Sequence, residues 1–126
     1  MYKPDGYGDV AAYLICPGAA GVITFLEQAL DARVLRSYPR PDGTLAHAEV
    51  RIGDTVVMFG EAAPKWPAAP THLHVYVPDV HVAWRRALDA GARPLREPAR
   101  SEGDTDTRGG FLDPAGNSWW IATQGD

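Results

Sequence analysis

The feature that most constrains the fold of this chain is an internal repeat. In the first half, the apolar segment AAYLIC (residues 11–16) is followed by a turn and then by apolar residues at helical spacing. In the second half, HLHVYV (72–77) is followed by the same succession. The related sequences DARVL (31–35) and GARPL (91–95) come next in each half. Each half is therefore predicted to begin with a strand, a turn and a helix.

Both halves continue with a strand, a tight turn and a second strand. In the first half these are LAHAEVRI (45–52) and TVVMF (55–59), and in the second half GGFL (109–112) and SWWIAT (118–123). Each half is thus interpreted as a βαβββ module. Asp79 is a plausible N-cap for the second helix.

The fold class predicted from this repeat is α+β. Module one covers residues 8–61 and module two covers 70–124, joined by an Ala- and Pro-rich linker at 62–69 that has no periodicity. Together the modules are expected to form one domain, 1–126, whose mixed β-sheet is curved into a cup. At 126 residues and 45% apolar composition, the chain is long and apolar enough to bury a core.

Composition excludes several classes of protein. The net charge is −4, with 12 basic and 16 acidic residues and no basic run that would neutralise successive phosphates, so nucleic acid is not an expected partner. No apolar stretch approaches the ~18 residues of a membrane span, and no secretory signal is visible. A single cysteine, Cys16, excludes an internal disulfide. We expect a cytoplasmic protein that does not bind membranes.

Strand alternation separates two faces in each module. In the segment 45–52, the small and apolar side chains suit packing under a helix, which leaves His47 and Glu49 on the other face. In the segment 72–77, His72, His74 and Tyr76 are separated from the apolar set in the same way. These groups either line a functional cavity or form an ordinary solvated sheet face.

The chain resembles the vicinal oxygen chelate superfamily, and within it the PhnB-like glyoxalase and bleomycin-resistance proteins. The segments that carry the resemblance are FLEQALDARV, PDGTLAHAEVRIGDTVVMF, LHVYVPDVHVAWRRALDAGA and TRGGFLDPAGNSWWIAT. Similar proteins pair their modules across a two-fold axis, so the resemblance implies a homodimer. It is poorly specific for activity, because such proteins include isomerases, dioxygenases, thiol transferases and drug-binding proteins.

The resemblance also implies where metal ligands would stand. Of the four positions, His72 is kept, whereas the other three fall on Ala11 (or Ala12 in a shifted register), Val57 and Trp120, which are not ligands. We therefore expect no metal or other cofactor.

A rearranged metal centre is the alternative. It would use His47, Glu49, and His72 or His74, a donor set that suits Zn, Fe, Mn or Ni.

Two functions follow from these alternatives. In the first, the protein binds a small, partly aromatic molecule without metal and serves sequestration or antibiotic resistance. Trp120 offers a flat stacking surface, and Tyr13 and Phe111 add to the wall. Arg108, in a flexible loop at 101–110, matches an Arg of the PhnB-like proteins. The predicted ligand-binding residues are His47, Glu49, His72, His74, Tyr76, Arg108 and Trp120.

In the second function, the protein is a metal-dependent lyase, isomerase or dioxygenase. Glu49 is then the candidate catalytic base.

Overall fold

The computed structural model describes residues 1–125. Its two helices and eight strands follow the predicted order twice. The elements are β1 (Tyr13–Cys16), α1 (Ala19–Leu30), β2 (Arg33–Pro39), β3 (Leu45–Ile52), β4 (Thr55–Glu61), β5 (His72–Tyr76), α2 (Val80–Asp89), β6 (Arg93–Arg100), β7 (Asp106–Leu112) and β8 (Ser118–Gln124).

The two helices begin in different ways. The Asp79 side chain accepts hydrogen bonds from the backbone N–H groups of His81 and Val82, so it is the N-cap that the sequence predicts for α2. Gly18 at the start of α1 has no side chain to cap with. Its N–H and that of Ala19 are bound instead by the Glu61 carboxylate at the end of β4.

The strands form two separate sheets of four. Their orders are β1-β4-β3-β2 and β5-β8-β7-β6, and in each sheet the first strand pairs in parallel while the others pair antiparallel. The predicted α+β class with βαβββ modules is confirmed. Within residues 1–125 no strand of one sheet pairs with a strand of the other, so the sheets are not closed into a continuous cup.

One core unites the two modules. It contains the helix-facing residues of both sheets and the apolar faces of both helices. Phe25 of α1 and Phe111 of β7 meet edge to face, with ring centroids 5.7 Å apart. The prediction that Phe111 lines the ligand cavity is therefore wrong, because its register partner is Trp119, and both side chains are fully buried on the helix side.

A buried carboxylate anchors the β7–β8 turn. Asp113 accepts hydrogen bonds from Trp119 Nε1 and Asn117 Nδ2, each at 2.9 Å, and from the backbone N–H groups of Ala115 and Asn117. Every buried polar side-chain atom in the described part of the chain has a partner. Trp119 is thereby fixed in the core, and Trp120 must point to the opposite face of β8.

Neither of the two helices in residues 1–125 has the length and apolar character that crossing a membrane requires.

Candidate functional site

The face of each sheet opposite the helices, here called the open face, carries the predicted functional residues. On module two, Trp120 lies across β7 at Gly110, its register partner, and is half-buried. A Cβ atom at Gly110 would stand 2.3 Å from the indole ring. The indole therefore lies against the backbone of β7 at this glycine and remains partly exposed on the open face.

His72 extends this flat surface. Trp120 Nε1 donates a hydrogen bond to His72 Nδ1 at 3.1 Å, and the two ring planes differ by 8° with centroids 6.2 Å apart. The rings thus lie side by side and nearly coplanar, not one above the other. We call this pair, Trp120 and His72, the aromatic platform.

Arg108 occupies the neighbouring part of the same face, and each of its three nitrogens makes a hydrogen bond. Its Nε bonds Asp104 at 2.7 Å, its Nη2 bonds Asp106 at 3.0 Å, and its Nη1 donates to His74 Nε2 at 2.9 Å. The carboxylate of Asp104 raises the pKa of Arg108, and in return the guanidinium lowers the pKa of Asp104. Two carboxylates against one guanidinium leave this group net negative, so it does not suit an anionic ligand.

Tyr76 completes the module-two group. Its hydroxyl donates to Asp106 at 3.0 Å, and its ring meets His74 edge to face with ring centroids 4.8 Å apart.

The prediction that Arg108 sits in a flexible loop is wrong, because β7 begins at Asp106 and places Arg108 within the sheet.

Module one carries a second group, centred on Glu49. This carboxylate is only 6% exposed, accepts a hydrogen bond from the Tyr7 hydroxyl at 2.5 Å and contacts His47 Nε2 at 2.8 Å. Arg36 on β2 lies 3.7 Å away. Burial opposes ionisation of Glu49, but the hydrogen bonds from Tyr7 and His47 and the charge of Arg36 outweigh it and lower the pKa.

His47 links Glu49 to a tyrosine on the edge strand. The hydroxyl of Tyr13 lies 2.9 Å from His47 Nδ1. The Tyr13 ring reaches it by crossing Gly60 of β4, where a Cβ atom would lie 3.3 Å from the phenol oxygen. The ring of Tyr38 lies nearly parallel to the imidazole on its other side, with centroids 6.1 Å apart. We call Tyr7, Tyr13, His47 and Glu49 the module-one chain.

The structure brings the predicted residues together in two groups, not one. His47 and Glu49 meet on module one, and His72, His74, Tyr76, Arg108 and Trp120 share the open face of module two. No hydrogen bond, ion pair or ring contact in residues 1–125 joins the two groups. A groove of about 820 Å³ lies between β5 and module-one residues such as Arg51 and Thr55, and it includes His72, His74 and Tyr76 but neither Trp120 nor the Glu49 group.

The donor set for a metal is not assembled within one chain. His47 and Glu49 supply two donors in one place, and His72 and His74 two in another. Among residues 1–125 no group of three or more His, Cys, Asp or Glu side chains is close enough to hold an ion. The residues of a single chain therefore do not fit the metal that the fold implies.

Sequence reasoning missed four partners of the predicted residues. Tyr7 and Arg36 are distant in sequence from Glu49, whereas Asp104 and Asp106 are close to Arg108 in sequence but fall in the segment interpreted as a flexible loop. The double glycine before Phe111 was the one sequence signal for the close contact between Trp120 and the backbone of β7, since a glycine within a strand often marks a close backbone contact. The missed residues are Tyr7, Arg36, Asp104 and Asp106.

Comparison with known families and structures accounts for this architecture. Residues 10–121 match the model of the Glyoxalase/Bleomycin resistance protein/Dioxygenase superfamily. The chain belongs to this superfamily. An uncharacterized protein of Mycobacterium bovis is 31% identical to it over 121 residues, which cover 87% of this chain and 79% of the relative.

Two solved structures have the same fold as this chain. TioX from Micromonospora sp. ML1 superposes with a TM-score of 0.74 at 18% identity, covering 94% of this chain and 98% of TioX. A PhnB protein from Bacillus cereus superposes with a TM-score of 0.71 at 15% identity, covering 92% and 99%. At these identities the likeness establishes the fold alone.

Proposed function

We propose that this chain is a small-molecule-binding member of the superfamily that takes a planar, partly aromatic ligand by stacking on the aromatic platform. The observation that carries the proposal is the orientation of Trp120. Its indole is supported from below by Gly110 and extended sideways by His72, so a flat surface is already formed before a ligand arrives. A preformed surface lowers the ordering cost of binding.

The surroundings of the platform determine the polarity of the ligand. The guanidinium of Arg108 is paired with the carboxylates of Asp104 and Asp106, which disfavours carboxylates and phosphates. Neutral or weakly basic heteroaromatic compounds therefore fit best. Sequestration of such a compound, as in antibiotic resistance, needs neither turnover nor the usual metal centre.

Calorimetric titration with a matched pair of ligands tests the proposal. 2-Naphthol and its saturated counterpart decahydro-2-naphthol have similar size and the same hydroxyl, but only the first can stack. We expect binding of 2-naphthol alone, and we expect Trp120→Ala to weaken it about tenfold or more. Trp66→Ala, which changes an exposed linker tryptophan, serves as the control and leaves the affinity unchanged. Equal affinity for the two ligands would contradict the proposal.

We also propose that the protein functions in the cytoplasm as a homodimer in which the open face of module two is opposed by the open face of module one from the partner. The two groups of polar residues do not meet within one chain. Strand β2 is exposed along its whole length, and Tyr38, the register partner of His47, is 53% exposed on the open face. An exposed aromatic side chain on such a strand is typical of a surface that is covered by another chain.

Light scattering during gel filtration tests this assembly. We expect about twice the chain mass of 13.6 kDa. Tyr38→Glu should dissociate the dimer and weaken 2-naphthol binding together, whereas Val82→Glu on the exposed side of α2 should do neither. Full ligand affinity in a monomeric Tyr38→Glu protein would contradict a shared cavity.

A further inference from the structure

The module-one chain orders a carboxylate, an imidazole and a hydroxyl from the interior to the surface. Glu49 is 6% exposed, His47 is half-buried, and Tyr13 is 47% exposed. The three groups are joined by contacts of 2.8 and 2.9 Å at opposite nitrogens of the imidazole. This arrangement is independent of the aromatic platform, which lies on the other module.

Donor and acceptor chemistry determines where the protons lie. The pKa of Glu49 is lowered, so its carboxylate is ionised near neutral pH and can only accept hydrogen bonds. His47 must therefore carry its hydrogen on Nε2. In the neutral imidazole this leaves Nδ1 as an acceptor, and the Tyr13 hydroxyl is positioned to donate to it.

Tyr7 and Gly60 hold the other residues of the module-one chain in place. The Tyr7 hydroxyl donates to Oε1 of Glu49, which leaves Oε2 for His47. Because Gly60 has no side chain, the Tyr13 ring can lie across β4 to reach the imidazole. The arrangement thus has both a base at hydrogen-bond distance from a hydroxyl and a third group that orients the base, which is the requirement for an activated nucleophile.

A cavity opens beside the phenol ring of Tyr13. Its volume is about 530 Å³, and it lies between β1, β4 and the linker. Its walls are mainly apolar and include one arginine side chain. They are formed by Tyr13, Ile15, Arg40, Ala46, Gly60, Glu61 and Trp66.

We propose that Tyr13 is a nucleophile activated through His47 and Glu49, and that this cavity takes small electrophilic acyl or sulfonyl compounds. The Tyr13 oxygen forms a bond to the electrophilic carbon or sulfur, and its proton passes to His47 Nδ1. The bond to the leaving group breaks, and the leaving group departs as an anion or takes the proton from His47. Glu49 is a positioning residue that stabilises the imidazolium formed in this step.

Labelling with an arylsulfonyl fluoride tests the proposal within a single protein sample. In this reaction the Tyr13 oxygen bonds to sulfur, fluoride leaves, and the proton goes to His47. N-acetyltyrosinamide added to the same sample is the reference, because its phenol has no neighbouring base, whereas Tyr38 lies beside His47. Peptide mass spectrometry over time gives a rate for each tyrosine.

We expect Tyr13 to react at least about a hundredfold faster than N-acetyltyrosinamide, which is the lower end of the effect of a positioned base. His47→Gln should reduce the Tyr13 rate to that of the reference, and Glu49→Gln should reduce it several-fold. The rate of the reference should be the same with both variants. His81→Gln changes an exposed histidine on α2 and is the matched control.

Three results would overturn the proposal: equal rates at Tyr13 and N-acetyltyrosinamide, an unchanged Tyr13 rate in His47→Gln, or sulfonylation of His47 in place of Tyr13. Unfolding of a variant would bring the rates of all five tyrosines to a common value, so it is distinguishable from loss of activation at Tyr13 alone. Since Trp120→Ala should leave the Tyr13 rate unchanged, failure of the aromatic platform and failure of this centre are separable.

Discussion

The indole of Trp120 lies against the backbone of Gly110, and a Cβ atom at that glycine would stand 2.3 Å from the ring. Real Cβ contacts are never this short, so any side chain at this position must move the ring. The aromatic platform therefore depends on two residues that are ten apart in sequence and paired between β7 and β8.

Gly110→Ala is expected to displace Trp120 and to weaken 2-naphthol binding about tenfold or more, because the stacking surface is lost. Overpacking should also lower the free energy of unfolding by about 1–3 kcal/mol. Gly21→Ala in α1 is the control, since a Cβ there meets nothing within 4 Å. It should raise stability by up to about 1 kcal/mol. Unchanged binding in Gly110→Ala would contradict the described role of Trp120.

Asp113→Ala is expected to be strongly destabilising, by about 3 kcal/mol or more, because it removes a buried acceptor and leaves Trp119 Nε1 and Asn117 Nδ2 without partners. Urea denaturation of the variant and of Asp5→Ala, an exposed control, measures the difference. A loss no larger than that of Asp5→Ala would show that the turn is held by something else.

Stability is expected to fall at acidic pH in part because of Glu49. Its folded-state pKa is lowered below the usual value of 4.5, so the unfolded chain takes up the proton first. The contribution is fully present above that value and is lost as pH falls through the folded-state pKa. Urea titrations between pH 7 and pH 3 should therefore show a shallower pH dependence for Glu49→Gln than for the wild type. Parallel curves would contradict this.

Cys16 is expected to be unreactive in the folded protein. Burial raises the pKa of its thiol to about 11, so little thiolate exists near neutral pH. Ellman's reagent at pH 8 should react at a rate that follows global unfolding, and the rate should rise in destabilised variants such as Asp113→Ala. Rapid stoichiometric reaction with the native wild type would show that the core around β1 opens locally.

Metal content tests the proposal of metal-free binding. Protein purified without chelators is expected to hold well under one equivalent of Zn, Fe, Mn or Ni per chain, because no more than two donors converge at either group. About one equivalent, lost in both His72→Ala and Glu49→Ala, would instead indicate a rearranged centre assembled between two chains.

The elements of this fold were predictable because they depend on short-range periodicity. The spacing of apolar residues identified α1 and α2, and the N-cap role of Asp79 followed from its position before α2. Alternation along β8 separated Trp119, which is buried, from Trp120 on the open face. Each of these inferences needs only residues within one element.

The partners of the site residues were not predictable, because they depend on register and on distant segments. Tyr7 lies 42 residues before Glu49 and outside any strand, so no pattern connects them. Phe111 was assigned to the wrong face because its partner across the sheet, Trp119, is fixed by the β7–β8 register. Strand alternation describes which residues share a face, but the starting phase comes from packing.

The most direct test of the account is the response of the four tryptophan indole N–H resonances to 2-naphthol in ¹H–¹⁵N NMR spectra. Stacking predicts that the Trp120 resonance moves most, since the ligand ring lies over its indole and next to its bond with His72. Trp119, buried under the sheet, and Trp66, in the linker, should move little. A dominant shift of Trp66, with Trp120 unchanged, would contradict the aromatic platform as the ligand site.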